Sequence, residues 1–329
     1  LRILVFEYIT GGGLLGQALP ASLASEGGLM LQALIAELKC LDNIELCVPL
    51  DVRGNKPTFL SESEIVTLSP DCDIFRVLTG LLTEVDLFWP IAPETNGILQ
   101  SLAELAIAAH VELLSANPAT LAVCADKYAT YQALKARAMP VVETRLLDQG
   151  AVGLGDNIVI KITDGVGCLD SLQVSTEHLS ATIAELNEPQ RYILQPYTDG
   201  QAASLSCLFK HGQAWLICYN HQQVVLEKGR FSLQGCLVNV QTDKLDFYRK
   251  LTKEIAEALP GLWGYVGIDF IENHELGPLV LEINPRLTSS YAGIRQATGI
   301  NVAEQILRLR HADPVLQACR NETVQISIN

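Results

Sequence analysis

Charged residues are scarce in this 329-residue chain, at 18%, and cations are scarcer still, with 23 Lys and Arg against 37 Asp and Glu and a net charge of −14. Nucleic acids and anionic membrane surfaces both need clustered cations, so neither is an expected partner. No uninterrupted apolar run reaches about 18 residues, which argues against a helical membrane span. The nine cysteines include no Cys-x-x-Cys pair. Cys40, Cys47, Cys207 and Cys218 sit in apolar stretches, where a thiol packs as a small hydrophobe, so neither a disulfide framework nor a zinc site is expected. His110, His178, His211 and His221 show no metal-ligand spacing. The chain opens into a strand-like run, Arg2 to Phe6, without a signal-peptide layout, and free thiols suit a reducing cytoplasm. A Walker loop, Gly-x-x-x-x-Gly-Lys-[Ser/Thr], is also missing.

What is present is a large apolar fraction, 49%, enough for a substantial core in one or two domains. Over the first ~115 residues strand-like and helix-like patterns alternate, which implies a parallel sheet flanked by helices. Arg2–Phe6, Ile44–Val48, Ile74–Val77, Leu87–Trp89 and Val111–Leu114 read as strands, and Leu29–Leu41 and Gly97–His110 as helices. Asn117-Pro118 breaks this pattern, and a helical stretch from Ala119 to Ala138 follows. From Val141 short β-like runs dominate, with helices expected at Glu177–Leu186, Lys244–Ala258 and Val302–Arg310. The reading is an α/β module, 1–116, followed by an α+β module, 117–329, the latter divided near residue 190.

The richest stretch lies near the C-terminus. Tyr265 to Glu272 and Leu279 to Asn284 read as two strands of a hairpin. Pairing Glu272 with Leu279 sets Asp269 opposite Glu282, while Asn284, two residues on, shares the face of Glu282. Like charges facing each other across a ladder destabilise it unless a cation sits between them. Two carboxylates and an amide suit Mg²⁺, which is commonly held by one or two carboxylates plus substrate phosphates.

Earlier in the chain, Lys161 ends the strand-like run Ile158–Ile162, and the loop Thr163-Asp-Gly165-Val-Gly167-Cys follows. Glycine lets backbone N–H groups approach a phosphate, and a neighbouring Lys supplies charge; an ordinary hairpin turn would read the same way. Lys127 opens a helical segment. Gln195 and Tyr197 end an apolar strand, where extended backbone could meet a flat ring.

Taken in order, Lys127, Lys161 with its glycine loop, Gln195, Asp269, then Glu282-Ile-Asn284-Pro-Arg286 resemble the ATP-grasp superfamily over roughly Asn117 to Arg310. The preceding module resembles a pre-ATP-grasp domain. The resemblance implies ATP and two Mg²⁺ ions (Mn²⁺ being able to substitute). Lys127, Lys161, Gly165 and Gly167 would contact phosphates, Gln195 and Tyr197 would line the adenine pocket, and Asp269, Glu282 and Asn284 would hold metal. Arg286 would stabilise the transferring phosphoryl group, and Arg295, nine residues on, is a second candidate for a substrate carboxylate. Ala202 and Gln195 depart from the family, which often has acidic residues at those places.

A narrower similarity, to the tyramine–glutamate ligase group of methanofuran biosynthesis, is carried by Phe6–Gly13, Ser25-Glu26-Gly27 and Asn284–Tyr291. It implies a carboxylate–amine ligase acting on small molecules, glutamate and tyramine, through an acyl phosphate. A kinase-like enzyme that phosphorylates an acid and a silent nucleotide-binding regulator remain open, as does a homo-oligomer. Gly11 to Gly13 would either receive an anion on backbone amides or form a flexible turn.

Overall fold

The computed structural model describes residues 1–54, 57–168 and 171–328. Among them the first module holds a parallel five-stranded sheet in the order β3-β2-β1-β4-β5. Its strands are β1 Arg2–Glu7, β2 Glu45–Asp51, β3 Ile65–Leu68, β4 Leu87–Ile91 and β5 Glu112–Leu113. The helices α1 Ala21–Leu38, α2 Ile74–Leu82 and α3 Ile98–Ala108 flank it. The expected alternation is present, with two changes. Ile74–Val77 starts helix α2 rather than forming a strand, because the Asp73 carboxylate caps it by accepting from the amides of Phe75 and Arg76; a four-residue apolar run cannot separate the two outcomes. Helix α1 begins at Ala21, not Leu29, and runs through Gly27. A Cβ at Gly27 would lie 2.6 Å from the Glu7 carboxyl group, so glycine lets the helix close on β1.

The stretch expected as one helix from Ala119 is two, α4 Pro118–Ala125 and α5 Lys127–Lys135. Asp126 between them is extended, and its side chain caps α5 by accepting from Tyr128 N and Ala129 N at 2.8 and 3.0 Å. The break sets Lys127 at the head of a new helix, turned inward.

A ten-stranded sheet follows in the order β14-β13-β10-β11-β12-β8-β7-β9-β6, with β15 beside β12. Its shorter strands are β6 Arg145–Leu146, β7 Asn157–Ile162, β8 Leu172–Ser175 and β9 Tyr192–Pro196. The long antiparallel ones are β10 Gln201–Lys210, β11 Gln213–Glu227, β12 Arg230–Val238, β13 Trp263–Asn273 and β14 Gly277–Asn284, and β15 Val324–Ser327 ends the sheet. The runs Ala214–Asn220 and Val224–Leu226 are one strand, β11; a bulge between Gln223 and Val224 shifts the inward-outward phase and imitates a break. Helices α6 Leu179–Ala184, α7 Leu245–Ala258, α8 Tyr291–Thr298 and α9 Val302–Leu309 complete the fold. Helix α8 was not anticipated. No described helix is long and apolar enough to cross a membrane.

The two modules share a core. Met30, Leu34 and Ile35 of α1 belong to the same apolar cluster as Tyr291 and Ile294 of α8 and Ile306 of α9. Within it Glu37 is buried, and its carboxylate accepts from Tyr291 Oη at 2.7 Å and from Ala303 N at 2.8 Å. Burial pushes the Glu37 carboxyl upward, against these hydrogen bonds. Tyr291→Phe removes one donor from a buried acid and should cost about 1–3 kcal/mol of stability, read by urea denaturation. A loss below a few tenths of a kcal/mol would show that this bond does not hold the modules together.

Candidate active site

The β13–β14 hairpin sets Asp269 directly opposite Glu282. The route to that pairing differs from expectation. At the turn Glu272 pairs with Pro278 and Ile271 with Leu279, one residue off the assumed register. A bulge between Asp269 and Phe270 then restores the alignment of the two acids. Asn284 donates its amide N–H to Asp269 Oδ2 at 3.1 Å, and Gln222 of β11 donates to Asp269 Oδ1 at 2.9 Å. Gln222 had no signal in the sequence, because its strand is recruited from far along the chain.

Two lysines balance the acids. Lys127 Nζ lies 3.1 Å from Glu282 Oε2, and both side chains are largely buried. Burial opposes ionisation of Glu282, but the charges of Lys127 and Lys161 outweigh it and hold the carboxyl below its ordinary range. Asp269 moves the other way: burial and the facing Glu282 push it well up. Lys161 is lowered by desolvation, with Glu282 pulling against that shift. One acid is therefore held ionised by cations and its neighbour is held back.

A cleft leads away from this cluster. Lys161, Gly167, Gln195, Tyr197, Asp269 and Glu282 all line it. Its walls are Val142, Val159, Ile271 and Leu281, with Phe231 stacked against Tyr197 at 6.5 Å between centroids. Gln195 donates its amide N–H to Thr144 Oγ1 at 2.9 Å, and Thr144 passes the chain on to Val142 O at 3.0 Å, which fixes the Gln195 side chain. Ala202 also lines the cleft, and its side chain offers no hydrogen-bonding group.

The glycine loop is tied at several points. Lys127 Nζ donates to Gly165 O, and the Lys127 amide donates to Thr163 O at 3.0 Å. Asp164 reaches the first module: its carboxylate accepts from Asn96 N at 2.8 Å and from Arg191 at 3.0 Å, while Thr95 Oγ1 donates to Asp164 O at 2.8 Å. Gly167, at φ +60°, takes the left-handed conformation.

Two expectations land elsewhere. Arg295 points to the far end of α1, donating to Ala36 O and to the exposed Cys40 thiol at 3.2 Å. It does not join the carboxylate cluster, because the Ser/Thr-rich segment turns into helix α8 and carries Arg295 onto α1. The anion reading of Gly11 and Gly13 also loses its donors: their amides bond Glu7 O and Tyr8 O, each at 2.7 Å, as in a closed turn. Arg286 does face the cluster. Its Nε donates to both oxygens of Glu94, at 3.0 and 2.9 Å, and Glu94 is a partner the sequence reading missed. A charged residue just past the carboxyl end of β4 was the available signal, since ligands gather at such strand ends.

A model of the ATP-grasp domain matches residues 124–290, and a model of the pre ATP-grasp 3 domain matches residues 44–121. This chain belongs to the ATP-grasp family. No curated protein matches it significantly by sequence. Among solved structures it is similar to an ATP-grasp superfamily protein from Archaeoglobus fulgidus, at 20% identity, TM-score 0.71 and 100% of both chains covered. It is also similar to L-amino acid ligase from Bacillus licheniformis, at 16% identity and TM-score 0.67, over 95% of this chain and 75% of that one. A biotin carboxylase–β,γ-ATP complex from Campylobacter jejuni gives 13% identity and TM-score 0.73, over 96% and 72%. At these identities the likeness concerns the fold: a pre-ATP-grasp domain followed by an ATP-grasp domain.

For a metal, the ATP-grasp chain offers two carboxylates and the oxygen of the Asn284 amide, which accepts no hydrogen bond among the described residues. No group of three or more His, Cys, Asp or Glu is arranged for a metal among the described residues. The donor set fits a hard cation that completes its shell with phosphate oxygens and water. The facing acids also carry a stability cost that such a cation would relieve. Asp269→Asn, tested without divalent ions at about pH 9, above the value of about 8 to which Asp269 is pushed, should raise stability by about 1 kcal/mol through loss of that repulsion. A drop in the thermal midpoint instead would mean that the ionised or protonated acid is itself a net contributor.

Proposed function

We propose that this chain is an ATP-dependent carboxylate–amine ligase that works through an acyl phosphate. One observation carries the reading: Lys161, Asp269 and Glu282 line one apolar cleft together with Gly167 of the glycine loop, and Lys127 and Asn284 contact the two acids. The slot suits a flat base between aliphatic side chains, with Tyr197 and Phe231 at its wall and Gln195 at its polar edge. Lys161 and the loop residues Gly165 and Gly167 would bind phosphates, with Lys127 released from Glu282 as the nucleotide enters. Asp269, Glu282 and Asn284 would hold Mg²⁺, which neutralises phosphate charge when bound. Arg286, already oriented by Glu94, would steady the transferring phosphoryl group and the acid that receives it. Residues 1–116 and 117–329 are proposed as the two functional modules.

The chemistry follows from those placements. A substrate carboxylate oxygen attacks the γ-phosphorus, the bond to the β–γ bridging oxygen breaks, and ADP leaves. An amine nitrogen then attacks the acyl carbon; the C–N bond forms as phosphate departs and the amine gives up its proton. The acyl phosphate needs protection from water, and the loop bonded to Lys127 would give it.

The finer reading takes glutamate as the acid and tyramine as the amine. It rests on the similarity carried by Phe6–Gly13, Ser25–Gly27 and Asn284–Tyr291. Two of these segments meet in space, since Ser289 Oγ donates to Glu26 Oε1. ADP release should require Mg²⁺, an acid and an amine together and yield a product of amide mass; ADP with the acid alone would favour a kinase-like enzyme. Lys161→Ala should weaken ATP binding about tenfold or more in calorimetry, and unchanged affinity would remove its phosphate role. Glu282→Gln should lower kcat by about 10²–10³ with the fold intact by circular dichroism; near wild-type turnover would remove the metal assignment.

A further inference from the structure

A second cavity, of about 880 Å³, lies mostly in the first module, beside the start of α1, the carboxyl end of β2 and strand β3, with Ser327 and Ile328 at the end of β15 also lining it. That volume lies within the range of small-molecule sites. Most of its wall is apolar, with Leu19, Leu29, Phe59 and Ile65 lining it. Three charged side chains are among the described lining residues: Glu26, Asp51 and Arg53. Arg53 is heavily engaged, with four of its five N–H groups bonded among the described residues. Its Nε and Nη2 bond Asp51 at 3.0 and 2.6 Å, Nη2 also donates to Leu14 O at 2.8 Å, and Nη1 donates to Gln17 O. The Arg53 guanidinium and its neighbouring hydrogen bonds hold the Asp51 carboxyl below its ordinary range, so that pair is a closed, neutral unit.

Glu26 is different. One of its oxygens accepts from Ser289 Oγ, and the other has no hydrogen-bond partner among the described residues. Glu26 is also near enough to Arg286 to act on its charge. The cavity therefore presents an apolar body with one available carboxylate, at the side nearest the carboxylate–lysine cluster. Among the described lining residues an anion would meet only Arg53, whose charge Asp51 already neutralises, whereas an ammonium group would meet Glu26.

The geometry points to this cavity as the site of the amine substrate, a primary amine with an apolar body, its nitrogen on Glu26 and its body against Phe59 and Ile65. This inference rests on the amide-forming reading for its role, but the site itself is testable without turnover. Calorimetry on the full chain would compare 2-phenylethylamine, ethylamine, phenylacetate and phenylalanine, with ATP titrated as a control. Two variants serve: Glu26→Gln removes the charge, and Thr67→Trp, at an exposed position on the cavity rim, fills the space.

2-Phenylethylamine should bind at least about tenfold tighter than ethylamine, and each variant should weaken it by a similar factor while ATP affinity stays unchanged. The site is overturned if no amine binds at millimolar concentration, if neither variant alters binding, or if phenylacetate or phenylalanine binds better than the amine. Failure of the ligase reading looks different: 2-phenylethylamine binds and is displaced by Thr67→Trp, yet no acid–amine pair yields an amide. Conversely, amide formation whose amine KM neither variant changes keeps the ligase and removes this cavity.

Discussion

The contact between Lys127 and Glu282 is the constraint on which the rest of the cleft depends. It lets a carboxylate stay ionised in a largely buried position, directly across a ladder from a second acid. Lys161 shares in that balance, so the acid's ionisation rests on two cations rather than on one contact. The fold makes several local concessions to secure it. Asp126 interrupts a helix so that Lys127 points inward, and a bulge in the hairpin brings Asp269 level with Glu282.

Around that centre, the two modules behave as one packed body. Helix α1 shares a core with α8 and α9, and the buried Glu37 stitches them through Tyr291 and Ala303. Glu94 from the first module holds Arg286 from the second. The first module thus does more than carry a parallel sheet: it supplies the acid that orients Arg286.

The sequence was most legible where local pattern and chemistry coincide. Asp269, Glu282 and Asn284 stand in an apolar hairpin, so their burial and their shared face could be read directly, even though the turn register was one residue off. Lys161, Gly167, Gln195 and Tyr197 line one cleft, as their order along the chain suggested. Long-range partners were not legible. Gln222, Phe231 and Glu94 reach the site through strand order and module packing, which no local spacing encodes. Arg295 failed for the opposite reason: distance along the chain stood in for direction in space, and a helix turned it toward Cys40. The bulge in β11 hid a continuous strand, and a cap at Asp73 converted a strand-like run into a helix.

The tie between Asp164 and the first module has a kinetic meaning. The glycine loop is fastened by Asn96, Thr95 and Arg191, none of which lines the cleft. Under the proposed function, a nucleotide held beneath that loop would leave only as these contacts part, and its residence time would be governed partly at the seam between the modules, by side chains that do not touch it.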